Sequence, residues 1–450
     1  MREIILDPGL KMGKERTVML NPVFFDTEEG RTKTAAMLDR QFEIDPDIEN
    51  AVKDILRKVR ESGDEALVGY TREFDCPHFE KGDMVVSASE MDAAYSEVDG
   101  NFMRTVGKAI ANITDFHRHQ VPESWFTTRE DGVFLGQMVN SVDAAGLYVP
   151  GGQGGETPLV SSVLMNAVPA RIAGVKRLVM ATPPTRQGGI SPFLLVAAAE
   201  AGVTEILKMG SAWAVGAMAY GTETVEPVDV IVGPGNIFVT LAKKMVAGAV
   251  GIDMIAGPSE VLIIADGKAV PGCVAADLLS QAEHDSMATS VLITPSPDLA
   301  IAVSDELSRQ LGELTRSETA EKSLCDNGLL LVVDDLDTAA AIANRFGAEH
   351  LELMVEDPWG LLPRIRHAGA VFLGSHTPEP VGDYIAGPNH VLPTMGTARF
   401  SSALGVETFL KRSSIIAYTR EALMNDAEDV MRLARIEGLT AHAESIRKRM

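Results

Sequence analysis

The chain has 450 residues, 46% of them hydrophobic, and a formal net charge of −23, which describes an ordinary globular protein too long for one hydrophobic core. This acidic balance argues against nucleic acid as a partner, because phosphate binding needs clustered Lys and Arg. No apolar run approaches the roughly 20 residues that cross a bilayer, and the N-terminus lacks the apolar core of a secretory signal, so we expect no membrane partner.

The three cysteines are widely spaced, at Cys76, Cys273 and Cys325, and they form no C-x-x-C pair. An odd number without a pairing pattern is typical of reduced thiols. The cysteines therefore favour a cytoplasmic location.

The predicted elements change in character along the chain. Residues 1–30 are expected to form an N-terminal arm, and helical periodicity dominates from 47 to 119, interrupted by a strand-like segment at 84–87. Apolar strands then alternate with helices. The strands are predicted at 145–150, 177–181, 204–209, 228–232, 261–265, 289–294, 328–334, 351–355 and 369–373. The helices are predicted at 159–173, 192–201, 212–220, 236–248, 272–284, 297–313 and 337–346. From about Phe409 the pattern is helical and charged, without strands.

Continuous apolar strands that alternate with helices are typical of parallel, doubly wound sheets. We predict an α/β fold with two Rossmann-like parallel-sheet domains, one inserted in the other. Residues 31–147 and 258–403 would form the first domain, 148–257 the inserted domain and 404–450 a helical C-terminal tail. Ligands usually bind such sheets at the carboxyl ends of the strands, so we expect clefts there.

A glycine turn follows the strand predicted at 228–232. Gly-Pro-Gly-Asn at 233–236 leads into a helix, and a helix N-terminus after such a turn offers free N–H groups to a pyrophosphate. The motif lacks the third glycine of G-x-G-x-x-G, so a tight structural turn is an equally good interpretation. The glycine-rich segment 151–155 has the same two interpretations.

Two residues with metal-binding side chains lie three positions apart in a helical stretch. Gln281 and His284 leave the same face of that helix, which directs an amide oxygen and an imidazole at one cation. Asp383, between glycines, and His442 in the tail would complete a mixed nitrogen and oxygen set suited to catalytic zinc. Each has an ordinary alternative, as a satisfied histidine, a turn-capping aspartate or a solvated helix residue.

An acid and an imidazole stand side by side just before an apolar strand. Glu349 and His350 precede the run 351–355, and such a pair can divide proton transfer between a carboxylate and a group that titrates near neutral pH. A polar junction between a helix and a strand is the alternative interpretation.

Six segments of the chain together resemble the histidinol dehydrogenase family, in that family's order: 146–152, 233–236, 252–260, 279–285, 349–353 and 387–394. The resemblance extends from about residue 30 to the tail. It implies a zinc-dependent, NAD-linked oxidation of L-histidinol to L-histidine through bound histidinal, in two hydride transfers, as the last step of histidine biosynthesis.

The resemblance also implies roles for individual residues. The implied zinc ligands are Gln281, His284, Asp383 and His442, which also contact substrate, and Glu349 and His350 are the acid/base pair. Further implied substrate contacts are Ser259, His350, His390 and Glu437. Implied cofactor contacts are Tyr148, Asn236 and, at a position where many members have Gln, Trp213. The family pattern is a homodimer whose tail crosses to the partner subunit.

Three departures from the family pattern lie around the cofactor or in loops. An indole at Trp213 cannot reproduce the paired donor and acceptor of an amide. The turn at 153–157 is longer than usual, and Met395 stands where a small residue is common.

Three other functions are considered. A relative with the same chemistry would act on another small polar alcohol, such as a sulfonated propanediol, although the carboxylate of Glu437 favours a cationic substrate. A zinc hydrolase would use Glu349 to activate water without a nucleotide. An inactive scaffold is disfavoured, because every candidate ligand is present.

Overall fold

The computed structural model describes residues 20–39, 45–151 and 157–450. Most of the predicted N-terminal arm and most of the glycine-rich segment 151–155 therefore lie outside the described residues. Within the described ranges, no helix is both long enough and apolar enough to span a bilayer.

The helices and strands follow one another along the chain in a mostly alternating order. The helices are α1 (Glu28–Leu38), α2 (Pro46–Phe74), α3 (Ala88–Glu97), α4 (Gly100–Arg118), α5 (Val160–Ala173), α6 (Pro192–Ala201), α7 (Ser211–Tyr220), α8 (Ile237–Val246), α9 (Pro271–Ala282), α10 (Pro297–Leu311), α11 (Ser317–Asn327), α12 (Leu336–Phe346), α13 (Pro358–Leu361), α14 (Glu379–Tyr384), α15 (Arg420–Ile436) and α16 (Thr440–Arg447). The strands are β1 (Val23–Phe24), β2 (Trp125–Thr128), β3 (Phe134–Ser141), β4 (Ala144–Tyr148), β5 (Arg177–Thr182), β6 (Glu205–Lys208), β7 (Val230–Val232), β8 (Gly251–Ile252), β9 (Glu260–Ala265), β10 (Thr289–Thr294), β11 (Gly328–Val332), β12 (His350–Met354), β13 (Ala370–Leu373) and β14 (Leu410–Ala417).

Two parallel sheets form the centre of the fold, and both are doubly wound. The six-stranded sheet has the order β1-β11-β10-β9-β12-β13, and the five-stranded sheet has the order β6-β5-β4-β7-β8. The winding direction reverses between β9 and β12 in the first sheet and between β4 and β7 in the second. The predicted fold class is confirmed.

The local sequence explains the central strands. All side chains of β4, β9 and β12 are buried, as expected for strands covered by helices on both faces. Separate apolar clusters fill the two faces of each sheet. The strands and helices predicted between 145 and 373 end within about two residues of the observed bounds, the usual uncertainty of such boundaries.

Two local predictions were wrong. Residues 84–87 form no strand, because only Val85 makes an isolated bridge, to Leu207. The tail predicted to lack strands begins with β14, which pairs antiparallel with β3 and, through β3, joins β2 in a third sheet. Most side chains of β14 are exposed, so its sequence carries no alternation of buried and exposed residues.

The long helices between β1 and β2 pack on the helices that cover the five-stranded sheet. Helix α2 packs on α7 and α8, while α3 and α4 pack on α6 and α5. The buried face of α2, which includes Val52, Val59 and Leu67, belongs to the same apolar cluster as α7. These helices lie there because an amphipathic helix packs where a neighbour can cover its apolar face. The domain boundaries themselves remain a prediction.

Candidate active site

The acid/base candidates meet where the six-stranded sheet reverses its winding. Glu349 and His350 open β12, and Glu260 opens the neighbouring strand β9. The Glu260 N–H donates to the Glu349 carboxylate at 2.8 Å, and His350 Nδ1 lies 3.0 Å from the Glu260 carbonyl oxygen. These groups lie at the amino ends of the strands, so the expectation of a cleft at the carboxyl ends was wrong for this pair.

His350 is held as a neutral base. Its Nδ1 contacts a carbonyl oxygen and therefore carries the ring proton, which leaves a lone pair on Nε2. That Nε2 is buried and has no hydrogen-bond partner. Burial, together with the charges of His284 and His390, lowers the pKa of His350 to about 4 and outweighs the carbonyl contact. The free lone pair is a group that can accept a proton.

Glu349 is a buried carboxyl with 6% of its surface exposed. Burial raises the pKa of this group well above its usual value, and the charges of Glu260 and Asp383 act in the same direction. The Glu260 N–H and the Ser259 hydroxyl oppose this by donating hydrogen bonds to the carboxylate. The environment thus favours a carboxyl that can hold and release a proton.

A candidate cation site includes His350 of this pair. His350, Glu379 and Asp383 each offer one ligand atom, and these atoms lie within 4.8 Å of one another. Helix α14 places Glu379 and Asp383 four residues apart, on one face. Burial raises the pKa of both carboxyls, because two desolvated like charges stabilise the protonated form unless a cation compensates them.

Of the predicted ligands, Asp383 belongs to this cluster, His284 acts on it electrostatically, and Gln281 is buried with an unpartnered amide. Gln281, in the last turn of α9, is 2% exposed, and both of its amide atoms lack a partner. Such buried amide groups normally have partners, so this one fits a ligand position. His284 lies exposed just after the same helix, and its charge lowers the pKa of both His350 and His390. Asp383 belongs to the cluster itself.

The predicted substrate contacts divide between the body of the chain and the tail. His390 is half-buried, with Nδ1 at 3.2 Å from the Asp383 carbonyl oxygen, and burial lowers its pKa to about 4. Ser259 contacts Glu349.

Glu437 and His442 are exposed on the tail. Its helices α15 and α16 pack on each other through Ala427, Met431 and Ala443. The cation cluster within this chain does not include His442.

Two predicted cofactor residues lie at the carboxyl edge of the five-stranded sheet. Tyr148 ends β4, and its hydroxyl oxygen accepts the Ser211 N–H at 3.0 Å. Burial raises the pKa of this phenol to about 12. Asn236 is exposed and caps α8 by accepting from the N–H groups of Phe238 and Val239. Both flank the reversal between β4 and β7, the usual place of a nucleotide in such sheets.

The third predicted cofactor residue, Trp213, is part of the packing of α7. It is 4% exposed, and its ring lies 5.6 Å from Tyr70 and 5.6 Å from Phe74, both in α2. The indole therefore fills a helix contact, and its role towards a cofactor remains a prediction.

The sequence reasoning missed the acidic residues behind the site. Glu379 is part of the cluster. Glu352 accepts the Glu379 N–H at 3.0 Å, and Asp277 hydrogen bonds to Glu352. Burial, then the charge of Asp277, raises the pKa of Glu352. Two signals were present: Glu379 stands four residues before Asp383, and Glu352 is a charged residue inside an apolar strand.

Comparisons with known proteins point to one family. The model of the family described as histidinol dehydrogenase matches residues 38–450. A histidinol dehydrogenase of Desulfotalea psychrophila is 58% identical over 96% of this chain and 100% of the relative. One of Oleidesulfovibrio alaskensis is 55% identical over 90% of this chain and 93% of the relative.

A solved structure agrees with these relatives. The crystal structure of histidinol dehydrogenase from Elizabethkingia anophelis superposes with a TM-score of 0.88 at 34% identity, covering 96% of this chain and 98% of that chain.

Proposed function

Because the chain belongs to the histidinol dehydrogenase family, we propose that it oxidises L-histidinol to L-histidine through bound histidinal, with zinc and NAD. The observation that carries the proposal is that one residue contacts both members of the acid/base pair. One residue, Glu260, holds Glu349 through its N–H and His350 through its carbonyl, which leaves His350 Nε2 unpartnered beside a cation cluster.

The donor set fits zinc. Gln281, His284 and Asp383 would hold it together with His442 from the tail of a second subunit, and the unpartnered amide of Gln281 supports this assignment. The bound metal would supply a Lewis acid that lowers the pKa of a substrate hydroxyl, and bound NAD would supply the hydride acceptor.

The protein's own residues then divide the proton transfers. In the alcohol step His350 Nε2 accepts the hydroxyl proton, because its lone pair is free and the ring is neutral. The adjacent carboxyl of Glu379, at 3.9 Å from Nε2, stabilises the resulting imidazolium.

In the aldehyde step a water molecule must lose a proton as it attacks the carbonyl carbon. Glu349 accepts that proton, and the Ser259 hydroxyl and the Glu260 N–H orient its carboxylate. Burial of both catalytic groups keeps the bound aldehyde away from bulk solvent. Ser259, His390 and Glu437 contact the substrate in this proposal.

The proposal includes a homodimer with exchanged tails and a cytoplasmic location. Glu437 and His442 are exposed at the end of α15 and in α16, two helices whose buried apolar residues cluster with each other, and this exposure supports their use in a neighbouring subunit. The three free cysteines fit a reducing compartment.

The test counts NADH formed per L-histidinol, by absorbance, with and without a chelator. We expect two NADH per substrate and loss of activity on chelation. One NADH per substrate, or none, would overturn the proposed reaction, and unchanged activity after complete metal removal would overturn the role of zinc. None of the relatives reported above supports the sulfonated alcohol or the hydrolase considered from the sequence.

A further inference from the structure

Both backbone groups of Gly233 are bound by one buried ion pair. Lys243 Nζ donates to the Gly233 carbonyl oxygen at 2.8 Å, and the Gly233 N–H donates to Asp253 Oδ2 at 2.8 Å. The ammonium and the carboxylate also contact each other. Their side chains are 4% and 1% exposed, so water competes with none of these contacts.

Gly233 occupies a position that only glycine fits. Its φ is +115°, and a Cβ atom there would lie 2.1 Å from the Tyr148 carbonyl oxygen. Three residues later Asn236 caps α8, so the position of Gly233 sets the position of the N–H groups that follow. The ion pair therefore holds the turn at the reversal point of the five-stranded sheet.

Asp253 also begins the connection between the two sheets. Residues 253–259 run from the carboxyl end of β8 to the amino end of β9, where Ser259 and Glu260 contact the acid/base pair. Midway, the Gly257 N–H donates to Thr394 at 2.6 Å. A connection of seven residues, bound at both ends, leaves little freedom between the turn and the acid/base pair.

We infer that Lys243 and Asp253 are positioning residues for the dinucleotide: they hold the 233–236 turn in the conformation that binds NAD. The inference rests on the proposed function and deepens it. A buried ion pair gives little net stability compared with apolar residues of similar size, so stability alone does not require this pair. It does supply both a donor and an acceptor to Gly233, which an apolar pair cannot do.

This difference separates a positioning role from a merely structural one. The single variant Lys243→Met leaves a buried carboxylate without its partner and is expected to lower Tm strongly. The double variant Lys243→Met/Asp253→Leu removes both charges and is expected to regain most of that stability. If the pair positions NAD, the double variant still binds NAD about tenfold more weakly, because Gly233 has lost both contacts.

The measurements are Tm, the Kd for NAD by calorimetry on the metal-loaded dimer, and KM for NAD against kcat. We expect KM to rise with Kd while kcat at saturating NAD stays within about twofold, since the acid/base pair is unchanged. Asp253→Asn keeps an oxygen acceptor for the Gly233 N–H and should weaken NAD binding by about threefold. A wild-type Kd in a stably folded double variant overturns the inference, and so does a wild-type Kd in Asp253→Asn should the double variant fail to fold.

A second ion pair next to the same sheet, with one partner more exposed, serves as control. Lys208, also buried, pairs with Glu90 and joins β6 to α3 without touching the 233–236 turn. Lys208→Met/Glu90→Leu should leave the Kd for NAD within about twofold of wild type. If the wild type binds NAD without oxidising histidinol, the proposed reaction alone is refuted. If the wild type is active and the Lys243 and Asp253 variants bind NAD as it does, the inference alone is refuted. Absence of NAD binding to the wild type refutes both.

Discussion

The two parallel sheets share one winding pattern but carry their candidate chemistry at opposite edges. In the five-stranded sheet, Tyr148 and the 233–236 turn lie at the carboxyl ends of β4 and β7. In the six-stranded sheet, Glu349 and His350 lie at the amino end of β12, beside the amino end of β9. Both sets flank the strand pair where the winding reverses.

The short connection between the sheets explains the difference. It leaves β8 at a carboxyl end and enters β9 at an amino end only a few residues later, so these two edges are neighbours. A hydride acceptor bound at the carboxyl ends of the five-stranded sheet would therefore meet proton-transfer groups at the amino ends of the six-stranded sheet. The carboxyl-end rule describes where one sheet binds its ligand, while a site built from two sheets follows their connection.

The largest effect on catalysis is expected from variants at the amino ends of β9 and β12 in the six-stranded sheet. His350→Asn should lower kcat for alcohol oxidation about a thousandfold, because it removes the Nε2 lone pair that accepts the hydroxyl proton. Glu349→Gln should leave the first hydride transfer largely intact and stall the second, since it removes the base for the water step. Single-turnover measurements with histidinol and with histidinal separate the two steps.

The exposed His78 gives a matched control for these variants. His78→Asn should leave both steps unchanged. Equal loss of both steps in Glu349→Gln would contradict the division of roles, and so would normal alcohol oxidation in His350→Asn.

Metal removal should affect the site at the amino ends of the six-stranded sheet and leave the carboxyl ends of the five-stranded sheet unaffected. Chelation is expected to lower activity about a hundredfold or more, because Gln281, Glu379 and Asp383 would be left as buried polar groups without a cation. NAD binding, measured by calorimetry on the metal-free protein, should change little. A large loss of NAD affinity on chelation would show that the two edges are not separate sites.

Subunit mixing tests whether the amino edge is completed by a neighbouring tail. The variants His350→Asn and His442→Ala should each be inactive alone. Co-expressed, they form mixed dimers in which one site has both native residues, so about a quarter of wild-type activity is expected for random pairing. No recovery in isolated mixed dimers would mean that each tail serves its own subunit.

The smallest effect is expected where α2 docks on the five-stranded sheet, away from both edges. Asp64 accepts from the Thr224 N–H and hydroxyl and pairs with Lys81. Burial alone would raise the pKa of Asp64, but the hydrogen bonds from Lys81, Thr222 and Thr224 outweigh it and lower the pKa to about 2.

The lowered pKa determines the pH dependence of this contact. The group stabilises the fold fully above its unfolded pKa near 4, and the contribution is lost as the pH falls towards about 2. Asp64→Asn should reduce the unfolding free energy by roughly 2 kcal/mol at neutral pH, measured by urea titration, with kcat and KM unchanged. An equal deficit at pH 2.5 would contradict the assigned cause.

The sequence by itself predicted the two wound sheets, because their strands are continuously apolar and their helices have clear periodicity. It also put Glu349 and His350 at the start of a strand, since this relation is local. The shared helical face predicted for Gln281 and His284 was wrong, because the helix ends at Ala282 and His284 lies exposed beyond it. Glu379 showed a local signal too, because it stands four residues before Asp383. The face of one helix, however, gives no information about which residues of other elements pack against it.

The tertiary structure decided what no local pattern contains. It brought Glu379 beside His350, made Glu260 the common partner of Glu349 and His350, and enclosed Lys243 and Asp253 around Gly233. It also paired β14 with β3 and buried Trp213 against α2. These contacts join residues distant in sequence, and their energies depend on burial and on the edge at which each strand enters its sheet, which exist only once the chain has folded.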